Sequence, residues 1–229
     1  MATSSTYQFN PSLGELTLYA FNLCGIRGTA LLQEHMESAR MAANMVQSRW
    51  SAQGVNLWQV DLQTVTLTPG TGTYTVPVDT IAILDAYIVQ NSGAAAINRL
   101  ILPISRSEYA SYPNPQQVGS TTVFWFDRLL SPTVTLWLVP DATQTALSYY
   151  RLRQTQDAAL TNGTNVEVPY YFLEAYALAV ACRLAAIWAP ERAAGLKAMA
   201  DEAYSIAADQ NVETAALYVS PMVSSYWRP

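Results

Sequence analysis

Apolar positions recur at spacings of three and four near both ends of the chain and alternate at a spacing of two between them. Tyr170, Leu173, Ala177, Val180, Leu184 and Ile187 mark one face of a helix running from Pro169 to Trp188. Pro169 suits a helix start, because a first-turn N–H has no intrahelical partner, and Glu174 lies near the positive end of the dipole. A second helix opens at Pro190-Glu191 and carries Leu196, Met199, Ala203, Ile206 and Gln210 through the same period. Toward the N-terminus, Leu32, Met36, Ala39, Ala43, Val46 and Trp50 predict a helix from Thr29 to Gln53. Leu13, Leu16, Ala20 and Leu23 predict a shorter one before it, with Gly25 as its stop signal.

From Val55 the period falls to two. Trp58, Val60 and Leu62 alternate with Gln59, Asp61 and Gln63, and then Val65 and Leu67 resume one position out of step. That slip predicts a bulge or tight turn at Gln63-Thr64. Thr68-Pro69-Gly70-Thr71-Gly72 reads as the turn of a hairpin whose second strand holds Tyr74 and Val76. Further strands are expected at Ile81–Val89, Leu100–Ile104, Thr121–Asp127, Thr133–Val139 and Ala146–Arg153, with Ser107–Tyr112 as an irregular turn. Their connections are short and no crossover helix is evident, which excludes a doubly wound parallel sheet.

The expected fold is therefore α+β. A discontinuous helical domain (residues 1–54 and 169–211) is interrupted by an antiparallel β-sandwich or open barrel (55–168) and followed by an extended C-terminal tail (212–229). Three successive small domains are the alternative. Each helical piece would then fall below about 70 residues, where a separate core is thin.

Composition narrows the chemistry. Charged residues make up 13% of the 229 positions, about half the usual ~25%. Ser, Thr, Gln, Asn and Tyr take their place, a surface compatible with extensive subunit contact. A net charge of −5 argues against a dedicated nucleic-acid binder, although not against a surface past which DNA slides. Met1–Asn10 has neither a basic start nor an apolar run, so a soluble intracellular product is expected. Glu174 and Arg183 leave the most apolar helix short of an uncharged span of about 20 residues. Cys24 and Cys182 read as buried thiols, with a single disulfide as the alternative.

Catalytic groups are scarce. His35 is the only histidine and lacks the second histidine of a zinc-protease helix, so it reads as a half-buried polar group. Gly70-Thr71-Gly72 lacks the lysine and following helix of a phosphate cradle. Asp61 and Asp85 are conceivable as a glycosidase pair, but carboxylates on strands usually face solvent. Arg151 and Arg153 project from one strand face, toward phosphate or a neighbouring subunit's carboxylates. No catalytic, cofactor-binding or metal site is assigned, and no cofactor is expected.

The order of these segments resembles the head-to-tail (portal) adaptor family of tailed phages, also represented by the tail tubular proteins. The resemblance rests on the helices Leu13–Cys24 and Thr29–Gln53, the junction Trp50-Ser51-Ala52-Gln53-Gly54-Val55-Asn56-Leu57-Trp58, the phrase Leu67-Thr68-Pro69-Gly70-Thr71-Gly72-Thr73-Tyr74-Thr75-Val76-Pro77, and the return helix Pro169–Trp188. It implies a non-enzymatic structural connector. Such a protein forms a homo-oligomeric ring, commonly of twelve copies, between the portal protein and a tail or nozzle protein. It would let double-stranded DNA pass without sequence-specific binding and would have no membrane partner. Its place would be the virion neck, and the host cytoplasm during assembly. Two other classes remain open from the residues: a tail-associated cell-wall hydrolase, and a glycan- or receptor-binding module that uses some of the 14 tyrosines. Related adaptors grip the portal with C-terminal segments. Here the tail holds Tyr218, Met222, Tyr226, Trp227 and Arg228, residue types that dominate interface hot spots, as the expected portal-docking set.

Overall fold

Ser12 begins the first helix with a reciprocal cap. Its hydroxyl accepts from the Glu15 N–H (3.3 Å), and its own N–H donates to Glu15 Oε2 (2.8 Å). The helix ends where Gly25 adopts φ 82°, with Ile26 N–H bonded to Phe21 O and Gly25 N–H to Asn22 O, each at 2.9 Å. This double bond with a left-handed glycine is a Schellman stop. The computed structural model describes residues 5, 9–54, 56–91, 93–159 and 164–212. Its helices are α1 (Leu13–Leu23), α2 (Gln33–Gln53), α3 (Arg106–Ser111), α4 (Leu173–Trp188) and α5 (Pro190–Gln210). Its strands are β1 (Val60–Thr66), β2 (Thr73–Thr75), β3 (Thr80–Gln90), β4 (Ile97–Pro103), β5 (Val123–Asp127), β6 (Thr133–Trp137) and β7 (Gln144–Arg153).

The second helix starts four residues later than the pattern predicts. Gly28–Ala30 forms a separate 3-10 turn, and Leu31 and Leu32 are extended. His35 supplies the cap instead: its Nδ1 accepts the Leu32 N–H at 3.1 Å. The ring stacks on Trp188 (centroids 4.2 Å apart) and meets the edge of Phe21, so the sole histidine is a buried structural group.

Helices α1, α2, α4 and α5 share one core. Ala20, Ala39, Ala43, Ala181 and Ala185 are fully buried and let the backbones approach closely. Trp50 at the end of α2 joins three elements, with ring centroids 5.3 Å from Phe172, 5.7 Å from Tyr176 and 5.4 Å from Tyr204. Both cysteines are free thiols; Cys24 Sγ donates to Ala181 O at 3.4 Å. The stretch Tyr170–Trp188 is long and apolar enough to cross a bilayer by length and composition, yet it runs through the middle of this core. Not every predicted face residue is inside. Leu32, Tyr170, Ile187, Met199 and Ile206 are exposed, the last two because α5 turns Leu196, Ala200 and Ala207 to the core.

The strands form one curled sheet in the order β1-β7-β3-β4-β5-β6-β2, enclosing a second apolar cluster that includes Ile88, Ile101, Phe124, Leu136, Leu147 and Tyr149. Three expectations need correction. First, β1 pairs with β7 in unbroken register from Val60↔Leu152 to Thr66↔Ala146, without a bulge at Gln63-Thr64. The apparent slip arises because Asp61 and Gln63 share the inward side with Val65, while Leu62 is turned out. Second, Thr68–Gly72 does not close a hairpin: β1 and β2 lie at opposite edges of the sheet. The link spans the mouth of the curl, with Gly70 at φ 81° and the Tyr74 hydroxyl accepting from Thr68 N–H at 3.0 Å. Third, β4 and β5 are parallel over Leu102↔Val123 and Pro103↔Phe124. The link between them contains α3, capped by Ser105, where an irregular turn was expected.

Candidate functional site

The two cores meet along a polar seam made by the start of β1, the end of β7 and one side of α2. Gln59 is 1% exposed and bonds Thr155 Oγ1 and Ser51 Oγ while accepting from Asn56 (3.2 Å). Asn44 holds Ala158 at both backbone groups, donating to its carbonyl and accepting from its N–H at 3.0 Å each. That pairing imitates a strand partner and ties α2 to the segment leaving the sheet. A cleft of about 450 Å³ opens beside it, lined by Ser51, Ile81, Gln154 and Asp157.

Charge is concentrated at the sheet end of this seam. Arg151 is 5% exposed. Its guanidinium donates to both oxygens of Asp61 (2.7 and 3.2 Å), to Asp79 Oδ1 (2.5 Å) and to Thr80 Oγ1 (2.9 Å). Arg153 forms a bidentate pair with Glu167, whose Oε2 also accepts the Gln156 N–H at 2.9 Å. Burial pulls the Asp61 carboxyl upward, but the Arg151 and Gln63 bonds and the two arginine charges outweigh it and hold it below its usual range. The Arg153 bond lowers Glu167, against a smaller opposing effect of burial. Burial would lower Arg151, and its Asp61 and Asp79 bonds reverse that into a rise. The two arginines are thus occupied within the chain and turned away from phosphate or a neighbour.

This arrangement is suited to holding an angle rather than to acid–base chemistry. Asp61 stands opposite Arg151 and Asp85 opposite Tyr150, adjacent residues of β7. Neighbouring strand residues face opposite sides of a sheet, so the two carboxylates cannot flank one bond. Asp85 is exposed and Asp61 is engaged by arginine. Gly70–Gly72 belongs to the link across the curl. Among the described residues, no three His, Cys, Asp or Glu side chains converge on a common point for a metal. The expected docking residues Tyr218, Met222, Tyr226, Trp227 and Arg228 lie outside the described residues. The described chain ends beside the seam, where Asn211 Oδ1 accepts the Leu57 N–H at 3.0 Å. Sequence reading missed Asp79, Glu167, Gln59, Thr155 and Asn44 as seam members. The one available signal was the broken alternation around Asp61 and Gln63.

A family model for the SU10 adaptor protein matches residues 29–224, spanning α2, the whole sheet and both C-terminal helices. The chain belongs to the SU10 adaptor protein family. None of the curated proteins matches it. Membership makes this adaptor a phage structural component, associated with the virion and working through contact with other virion proteins. The seam then gains a role: it fixes how the sheet of the adaptor is carried on its helices.

Proposed function

We propose that this adaptor forms a homo-oligomeric ring of twelve copies that joins the portal protein to the tail or nozzle protein at the virion neck. The ring lines the channel through which double-stranded DNA leaves the head. The family match over residues 29–224 is the observation that carries this reading. Residues 1–54 and 169–211 act as the ring-building body, and residues 55–168 as an inserted lobe. The separate apolar cores of helices and sheet support that division. The protein works by binding and not by catalysis, assembles in the host cytoplasm, and lets DNA pass without sequence-specific contact, as a net charge of −5 favours.

The tail, residues 212–229, docks between portal subunits through Tyr218, Met222, Tyr226, Trp227 and Arg228. Extended, it reaches about 60 Å at ~3.3 Å per residue. Ordering it costs roughly 1–2 kcal/mol per residue in backbone entropy, so several buried aromatics are needed to offset that loss. Deleting Val219–Pro229 should leave a folded protein with unchanged circular dichroism and unfolding midpoint, but without binding to isolated portal rings. Unchanged affinity for portal would overturn the docking role. A stable two-fold dimer that never forms rings, even with portal present, would overturn the connector reading.

A further inference from the structure

The clefts that flank α5 on its two long sides carry opposite charge beside exposed apolar side chains, the first of them through Arg49 of α2 and Arg183 of α4. At 3.6 residues per turn, Lys197, Asp201 and Tyr204 project from one side of α5, and Met199, Glu202 and Ile206 from the opposite one. On the first side a cleft between α2, α4 and α5 is lined by Arg49, Arg183 and Lys197, with Asp201 as its one acid. It continues through Arg183 and Ala186 into an apolar groove holding Met41, Met45 and Ile187. On the second side the groove between α4 and α5 holds Glu174 and Glu202 among Tyr171, Met199 and Ile206. Met41, Met45, Ile187, Tyr171, Met199 and Ile206 are each 42–63% exposed. Among the described residues, Arg49, Arg183, Lys197, Glu174 and Glu202 belong to no salt bridge. Arg183 donates to the Met45 carbonyl at 3.4 Å, its one hydrogen bond among the described residues.

We infer that the basic side of α5 in one copy of this chain docks on the acidic side of α5 in the next. Three cations against one acid give the first side a formal +2, and the two glutamates give the second −2. Like sides therefore repel and unlike sides attract, which selects a head-to-tail contact over a self-complementary one. Met41, Met45 and Ile187 meet Tyr171, Met199 and Ile206, so both exposed apolar strips are covered at once. Methionine suits such a contact because it adapts to an irregular opposing surface. The inference rests on the reading that copies of this chain assemble with one another, and it supplies the surfaces they use.

Two double variants test it: Arg183→Glu with Lys197→Glu on the basic side, and Glu174→Lys with Glu202→Lys on the acidic side. Self-association of the full chain is followed by sedimentation velocity and native mass, with and without isolated portal rings. Each variant alone is expected to associate about a hundredfold more weakly than wild type, because every neighbour contact then sets like charges together. Mixing the two in equal amounts should restore association, since each altered side now meets a complementary one. Should a charge variant fail to fold by circular dichroism, Met45→Glu and Met199→Lys form the second pair, at half-exposed positions.

Variants that assemble as wild type does, or a mixture that stays dissociated, would overturn the assignment of these surfaces and leave the ring reading intact. A wild type that builds open head-to-tail chains, lost in each variant and regained in the mixture, would support the surfaces and overturn the closed ring, whereas one that stops at a two-fold dimer would overturn the head-to-tail contact itself. A wild type that stays monomeric at its highest soluble concentration, with portal rings present, would overturn the inference.

Discussion

Replacing Arg151 by methionine removes the charge at the centre of the seam while keeping most of the side-chain volume. The guanidinium has a side-chain exposure of 6% and binds Asp61 at 2.7 Å and Asp79 at 2.5 Å. Breaking a fully buried ion pair costs about 3–5 kcal/mol, most of it from the charge left behind. Here the carboxylates left behind keep 34% and 41% side-chain exposure, so water takes over much of their solvation. The expected loss falls to about 2 kcal/mol. Asp61→Leu alone should cost a comparable amount, because it leaves Arg151 buried with Asp79 as its only carboxylate. Combining Arg151→Met with Asp61→Leu should cost clearly less than the sum, since an apolar pair replaces an ionic one. Urea unfolding monitored by tryptophan fluorescence and circular dichroism gives all four free energies. A single Arg151→Met loss under about 0.5 kcal/mol, or strict additivity in the double variant, would refute the claim that these charges stabilise one another.

Trp50→Ala should cost about 3–5 kcal/mol by urea unfolding, because it opens a cavity where α2, α4 and α5 meet; a loss near 1 kcal/mol would mean that the core closes over the gap. Acid should weaken the seam. Asp61 and Glu167 both have lowered folded pKa values, so their contribution is fully present above the unfolded values near ~3.9 and ~4.3 and is lost as pH falls through the folded ones. Thermal unfolding followed from pH 7 down to about pH 3 should show that loss below about pH 4, and Arg151→Met should remove part of it; identical acid profiles would count against the assignment.

The helices were legible because their signals are local. The Gly25 stop and the Pro190 start each act within one turn, and the structure uses both, while the Ser12–Glu15 cap is an equally local signal that the sequence reading passed over. The start of α2 was misread because its cap comes from a histidine ring held by Trp188, a residue more than 150 positions away. Sheet order was illegible for the same reason. Thr68–Gly72 has turn chemistry, but whether a turn folds a hairpin or bridges two sheet edges depends on β7, which pairs with β1 from the far end of the lobe. The face of β1 could not be read from apolarity at all. Asp61 points inward because Arg151 waits there, and Leu62 is left outside.

That inversion bears on what the seam contributes. Apolar contact is roughly proportional to area and tolerates small rotations, whereas bidentate guanidinium–carboxylate bonds weaken once their fork geometry is lost. Between α2 and the sheet this chain places the directional kind, the double bond of Asn44 to Ala158 and the Gln59–Ser51 bond. The pairs of Arg151 with Asp61 and Asp79 and of Arg153 with Glu167 stiffen the sheet end on which those bonds act. The helical core and the sheet core can each form from their own apolar residues, and the seam then sets their relative angle. In the ring proposed here that angle matters, because a head-to-tail contact closes only if every protomer repeats the same rotation. A seam built from apolar area would let each lobe settle slightly differently. One built from paired charges and a clamped backbone gives every copy the same shape before it meets its neighbour.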